Sequence, residues 1–188
     1  EYLKKKLKNK SKEIDCIFSI NKKNANLEKS IKRIQQEAED LVRSGTEHIL
    51  LTDRKITEKN AAIPMPLAVG AVHTHLVNEG LRSFVSINVQ ASDVFDVHSF
   101  AVLIGVGATT INPYLVERTI INRYKKKHYL GISSQNVLEN YKSSINKGLL
   151  KTMSKMGISV LSSYRAGYNF EALGLNRTLV ADLFPGMP

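Results

Sequence analysis

The run AVHTHL sets His73 and His75 two positions apart, and imidazole pairs are frequent zinc ligands. A shared ion requires both rings to aim at one point. The apolar residues around them, Met65, Val69, Val72 and Leu76, recur at three and four, which places the pair on a helix. Positions two apart on a helix point about 200° apart around its axis, so the two rings read as separately hydrogen-bonded side chains. His98 lies two residues from Asp96, a pairing in which the carboxylate orients the ring. The glycines of GVGATT have the look of a phosphate cradle. They follow a helical pattern and precede a strand, whereas a dinucleotide fingerprint lies between a strand and the helix that receives the phosphate. They read as a helix stop with close packing.

A second group of polar residues falls at the expected carboxyl ends of strands: Asp53 with Arg54, Gln90, Asn112, and Tyr164 with Arg165. Parallel α/β folds bind ligands along that edge, so these groups face one mouth if their strands are neighbours. The competing reading is that they cap helices and satisfy backbone groups. They include no nucleophile, general-base pair or phosphate loop, so no catalytic, cofactor-binding or metal-ligating residue is assigned. The single Cys16 excludes an intramolecular disulfide framework and any cysteine-rich zinc or iron–sulfur site.

The elements that must carry these residues alternate in type. IDCIFSI, HILLTD, FVSINVQA, TTINP and ISVLSSY read as five strands. Between them, Asn26 caps a helix with Ile31, Ile34, Ala38 and Leu41 on its inner face, and Gly45 stops it. A second helix follows Pro64 and Pro66 and ends near Gly80. A third starts at Asp93 or Asp96 and buries Phe100, Leu103 and Ile104. Pro113 opens a fourth, and Ser134 caps the longest, whose stripe is Leu138, Tyr141, Ile145, Leu149 and Met153. YNFEALGL and NRTLVADLF read as short terminal helices. Strands alternating with helices imply parallel pairing, and five units are too few for an eight-fold barrel of about 250 residues. The expected fold is α/β, a mainly parallel sheet that is open or barrel-like only in part, over residues 14–188 behind a basic arm at 1–13.

The 188 residues carry 27 Lys and Arg against 17 Asp and Glu, a net charge of +10. Residues 60–120 hold only 2 basic and 4 acidic groups, so the excess lies at the two ends. Its patches are Lys4 to Lys12, Lys125 to Lys127, and Lys142, Lys147, Lys151 and Lys155 along the longest helix. Lysines without tryptophan, stacking platforms or a recognised module do not make a nucleic-acid surface. No apolar stretch approaches the roughly 20 residues that cross a bilayer, and the start lacks a secretory signal, so neither membrane nor nucleic acid is an expected partner. A start without Met and an end on FPGMP point to a piece of a longer chain.

Four blocks carry a resemblance: ILLTDR (49–54), PMPLAVGAVHTHLVNEGLR (64–82), HSFAVLIGVGATTINPYL (98–115) and NYKSSINKGLLKTMSKMGISVLSSYRAGYNFEALGL (140–175). In this order they closely resemble the central domain of the glutamate synthase large (α) subunit. The resemblance implies a parent that makes glutamate from glutamine-derived ammonia and 2-oxoglutarate. That parent has an amidotransferase domain with a cysteine nucleophile and a barrel domain with FMN and an iron–sulfur cluster. A small subunit or ferredoxin supplies electrons, in a bacterial cytoplasm or, if plant-like, a plastid stroma. The central domain connects the chemical centres, so this piece is expected to be scaffold and ammonia-path support, inactive alone and without a cofactor of its own. Gln90 stands where many relatives carry Glu, which removes an acid from that position. The surface expected to meet the flavin domain is Met153, Lys155, Met156, Ser159, Tyr164 and Arg165. The competing classes are a stand-alone FMN-binding α/β enzyme and a basic nucleic-acid module.

Overall fold

The run from Ile14 to Ile20 is not one strand. It turns at Cys16, so that β1 (Ser11–Asp15) and β2 (Ile17–Ser19) enter different sheets in the computed structural model, which describes residues 10–20, 26–129 and 131–188. β1 begins before the boundary placed at Ile14, because Ser11, Lys12 and Glu13 already pair with His48, Ile49 and Leu50. The rest of the expected arm, residues 1–9, lies outside the described residues.

The first helix, α1 (Leu27–Arg43), is built as its residues dictate. The Asn26 side chain accepts the Lys29 N–H at 2.8 Å, and Ile31, Ile34, Ala38 and Val42 are buried. Gly45, at φ +89°, reverses the chain in a conformation that a side chain would strain. β3 (His48–Thr52) follows, then β4 (Asn60–Ala62), a three-residue strand with no sequence signal that pairs antiparallel with β2. Next come α2 (Met65–Asn78), the 3₁₀ turn Arg82–Phe84 and β5 (Ser86–Gln90). Asp96 caps α3 (Val97–Gly105) by accepting the Ser99 N–H at 2.8 Å, and β6 (Thr110–Asn112) completes the sheet.

The main sheet has strand order β1-β3-β5-β6, parallel throughout and open. Each new strand is added on the same side, so right-handed crossovers lay α1, α2 and α3 side by side on one face. The rung Ile14–Leu51–Val89–Ile111 points into that helical layer. The rung one residue on, Asp15–Thr52–Gln90–Asn112, points to the opposite face and is wholly polar. α2 is central. Its expected stripe is buried, and so are Ala68, Gly70, Ala71 and Thr74, because neighbours close on it from several sides.

α4 (Tyr114–Lys125) and α5 (Ser134–Lys155) pack on each other, with α5 also against α3. The cap of α5 is Ser133, one residue before the one expected, and it accepts the Asn136 N–H at 3.2 Å. ISVLSSY is not a strand. It becomes a bend and the one-turn helix α6 (Leu161–Tyr164), and it docks on the end of α3 through Ala166 N–H to Ile104 O at 3.2 Å. A short apolar run reads as a strand only when a partner edge is within reach, and its three serines offer local alternatives to a ladder. YNFEALGL forms no helix either, since Tyr168 takes a positive φ of 47°. The last helix, α7 (Arg177–Leu183), lies against α2. No described helix is long and apolar enough to cross a membrane.

Candidate functional site

The carboxyl end of the sheet gathers Asp53, Arg54, Gln90 and Asn112, as adjacency of β3, β5 and β6 requires. Thr52 Oγ1 donates to Gln90 Oε1 at 3.2 Å, Gln90 Nε2 to Asn112 Oδ1 at 3.0 Å, and Asn112 Nδ2 to Glu117 Oε2 at 3.3 Å. The result is a relay from β3 across β5 and β6 into α4. An amide is the right group in its middle: Gln90 accepts on one side and donates on the other, which a carboxylate at that place cannot do.

Asp53 is buried beside this relay. Its Oδ2 accepts both the Ser92 N–H at 2.8 Å and the Ser92 hydroxyl at 2.6 Å, while Oδ1 is sealed from solvent without a partner. Tyr114 lies alongside, its phenol held above the ordinary range by burial first and by the nearby Asp53 carboxylate next. The Arg54 and Arg118 guanidinium carbons lie 5.0 and 5.8 Å from the Tyr114 ring centroid. Ser92, Tyr114, Glu117 and Arg118 escaped sequence reasoning. Their signal was position, since each lies two to six residues after a strand end already singled out. Apart from Asp53 Oδ1, the hydrogen bonds of this constellation run among its own members, and they tie the loops after β3, β5 and β6 into one edge.

Tyr164 and Arg165 do not join that edge, because the strand expected to bring them there does not form. Tyr164 is buried with Ala101, Ile104 and Met153 in a small satellite core. Arg165 is half-buried, with a Nε that has no partner. Of the six residues expected at an interdomain surface, Met153 and Tyr164 point inward, while Lys155, Met156 and Ser159 are exposed.

The other candidates separate as their spacing required. His73 Nδ1 accepts the Arg82 Nε–H at 2.9 Å inside the fold, and His75 Nε2 lies 2.8 Å from Glu39 Oε2 on the far side of α2. Burial, and then the charge of Arg82, push His73 down to about 4. Gly107 ends α3 at φ +121° and presses against the His73 ring. Cys16 is completely buried, and desolvation pushes its thiol up to about 12, so it is a protonated core side chain.

The family profile described as the glutamate synthase central domain matches residues 1–176. The chain is 51% identical over 175 residues to a glutamate synthase [NADPH] large chain of Azospirillum brasilense, covering 93% of this chain and 12% of that one. It is 41% identical to the glutamate synthase [NADPH] large chain of Bacillus subtilis, covering 94% of this chain and 11% of the relative. It is 37% identical to a chloroplastic ferredoxin-dependent glutamate synthase of Spinacia oleracea, covering 94% and 12%. The chain thus spans about one eighth of the length of the curated relatives it matches. With an open parallel α/β body and a profile match over nearly its whole length, the chain belongs to the glutamate synthase central-domain family.

Proposed function

We propose that this chain is the connecting unit of a glutamate synthase large chain, holding the amidotransferase and flavin-bearing units in register and screening the ammonia path from water. It contributes no reacting group of its own. The observation that carries this reading is the surface from Leu150 to Leu175, where Leu150, Met156, Val160, Leu161, Leu173 and Leu175 are all exposed. Leu173 is 81% exposed. Scattered surface aliphatics are ordinary, but six exposed ones within residues 150–175 favour a stretch covered in the longer protein. The half-buried Arg165 lies within this stretch and adds a positive charge to it.

The cofactors of such a parent do not fit this chain. An iron–sulfur cluster needs several thiolates, and the sequence has one cysteine, buried and protonated. FMN needs a phosphate cradle at a helix start, and the GVGATT glycines end one instead. FMN and the cluster therefore belong to neighbouring units in this reading, as do the contacts to a small subunit or ferredoxin.

The test is made in the full-length enzyme with Met156→Glu and Leu161→Glu, two exposed positions that leave the core intact. Both are expected to uncouple the reactions, so that glutamine hydrolysis outruns glutamate formation several-fold while hydrolysis itself stays near its normal rate. A stoichiometry unchanged in both variants overturns the reading. So does micromolar FMN binding by the 188-residue chain alone, which returns the stand-alone flavoenzyme.

A further inference from the structure

Helix α4 has no buried residue, although it carries Leu115, Val116 and Ile120 on one side. Those side chains, with Val137 and Tyr141 of α5 and Phe95 from the loop after β5, line a groove of about 600 Å³. Phe95 and Leu115 stand 64% and 48% exposed on its rim. Tyr129 closes one end of this groove and also lines a second depression of about 510 Å³, bordered by Tyr124, Lys125, Lys127 and Ile132. The two adjoin at Tyr129, an aliphatic trough on one side and a basic depression on the other. They lie on α4 and the start of α5, apart from the Leu150 to Leu175 surface.

Charge narrows the occupant. Residues 114–155 carry nine Lys and Arg against two Glu, and Arg123, Lys125 and Lys127 are exposed where they line the trough and the depression beside it. A second copy would bring like charges face to face, which costs several kcal/mol at an interface. A nucleic acid would satisfy the lysines yet leave the aliphatic floor of Leu115, Val116, Ile120 and Val137 without a stacking base. A protein segment with aliphatic side chains followed by carboxylates satisfies both ends. The relatives are about eight times longer than this chain, and a segment on the same polypeptide reaches the trough at an effective concentration in the millimolar range.

We propose that the trough between α4 and α5 receives an acidic, aliphatic-faced segment from elsewhere in the same long polypeptide. The inference rests on the proposed function only in drawing its occupant from a larger chain.

The full-length enzyme is treated with a zero-length carbodiimide, and lysine–carboxylate crosslinks are mapped by mass spectrometry. Lys125, Lys126, Lys127 and Lys142 are expected to link to one acidic segment outside residues 1–188. Those links should fall at least five-fold in a Phe95→Ser, Leu115→Glu variant whose melting temperature is unchanged. Hydrogen exchange across 114–137 should be slower in the full-length enzyme than in the 188-residue chain. Links confined to residues 1–188, links to a separate chain, an equally fast exchange in both proteins, or nucleic acid released by Lys125→Glu with Lys127→Glu each overturn the proposal. Glutamate formation is assayed on the same preparation. An active enzyme with an uncovered trough refutes only this inference, and an inactive one with the crosslinks refutes only the glutamate synthase reading.

Discussion

His73 stays neutral in the folded chain because its Nδ1 must be free to accept the Arg82 Nε–H. Arg82 also donates to Val85 O at 2.6 Å and to Gly107 O at 2.9 Å, so this one contact ties α2, the start of β5 and the end of α3. Protonating the ring would turn its acceptor into a donor that faces a guanidinium. The native group titrates at about 4 against an ordinary 6.5, so below pH 6.5 the unfolded chain binds the extra proton. The stabilisation is complete above pH 6.5 and is lost as pH falls towards 4. Denaturant midpoints measured at pH 7.5 and pH 5 should show a clear loss in the parent chain, and His73→Asn, which keeps an acceptor but cannot titrate, should flatten it. An equal loss in both would place the acid sensitivity elsewhere. Spacing alone showed that His73 and His75 face opposite ways. The Arg82 contact was not legible, because nothing local in RSF reports that a guanidinium will reach three separated segments.

At the scale of elements, α2 shows why a pattern can be right and incomplete. Its three-and-four spacing marked one buried stripe, yet Gly70 and Ala71 on other faces are buried as well. Small residues let neighbours approach, and the ring of Phe184, just past the end of α7, occupies the space that a Cβ on Gly70 would need. Gly70→Ala is expected to lower stability by about 1–3 kcal/mol through overpacking, even though alanine favours a helix by up to about 1 kcal/mol. Phe184→Leu in that background should return part of the loss, and urea midpoints for the single and double variants test the pair. A Gly70→Ala chain as stable as its parent would mean the ring moves freely. The same reasoning explains the lost fifth strand. ISVLSSY has strand composition, but a strand needs an edge to pair with, and the chain leaves α5 where the end of α3 offers carbonyls instead. The break at Cys16 was equally hidden, because a continuous apolar run carries no mark of where its pairing partner changes.

For the molecule as a whole, the family match ends at residue 176 while the core does not. Val180, Leu183 and Phe184 of the terminal segment are buried in the main core, and Leu183 O accepts the Thr74 hydroxyl at 2.8 Å. Three such side chains contribute about 1.5–3 kcal/mol each, against the roughly 5–15 kcal/mol that holds a domain together. A chain ending at Asn176 is therefore expected to lose its cooperative melt by calorimetry, and an unchanged transition would show α7 to be dispensable. The alternation of the first strands and helices, the cap at Asn26 and the stop at Gly45 were readable along the chain, since each depends on neighbours within a few residues. Strand order, the polar relay through Gln90 and the burial of Met153 and Tyr164 arose from contacts between residues far apart in the chain. The trough beside α4 arose in the same way. Such contacts exist only once three dimensions bring those residues together, and local spacing carries no record of them.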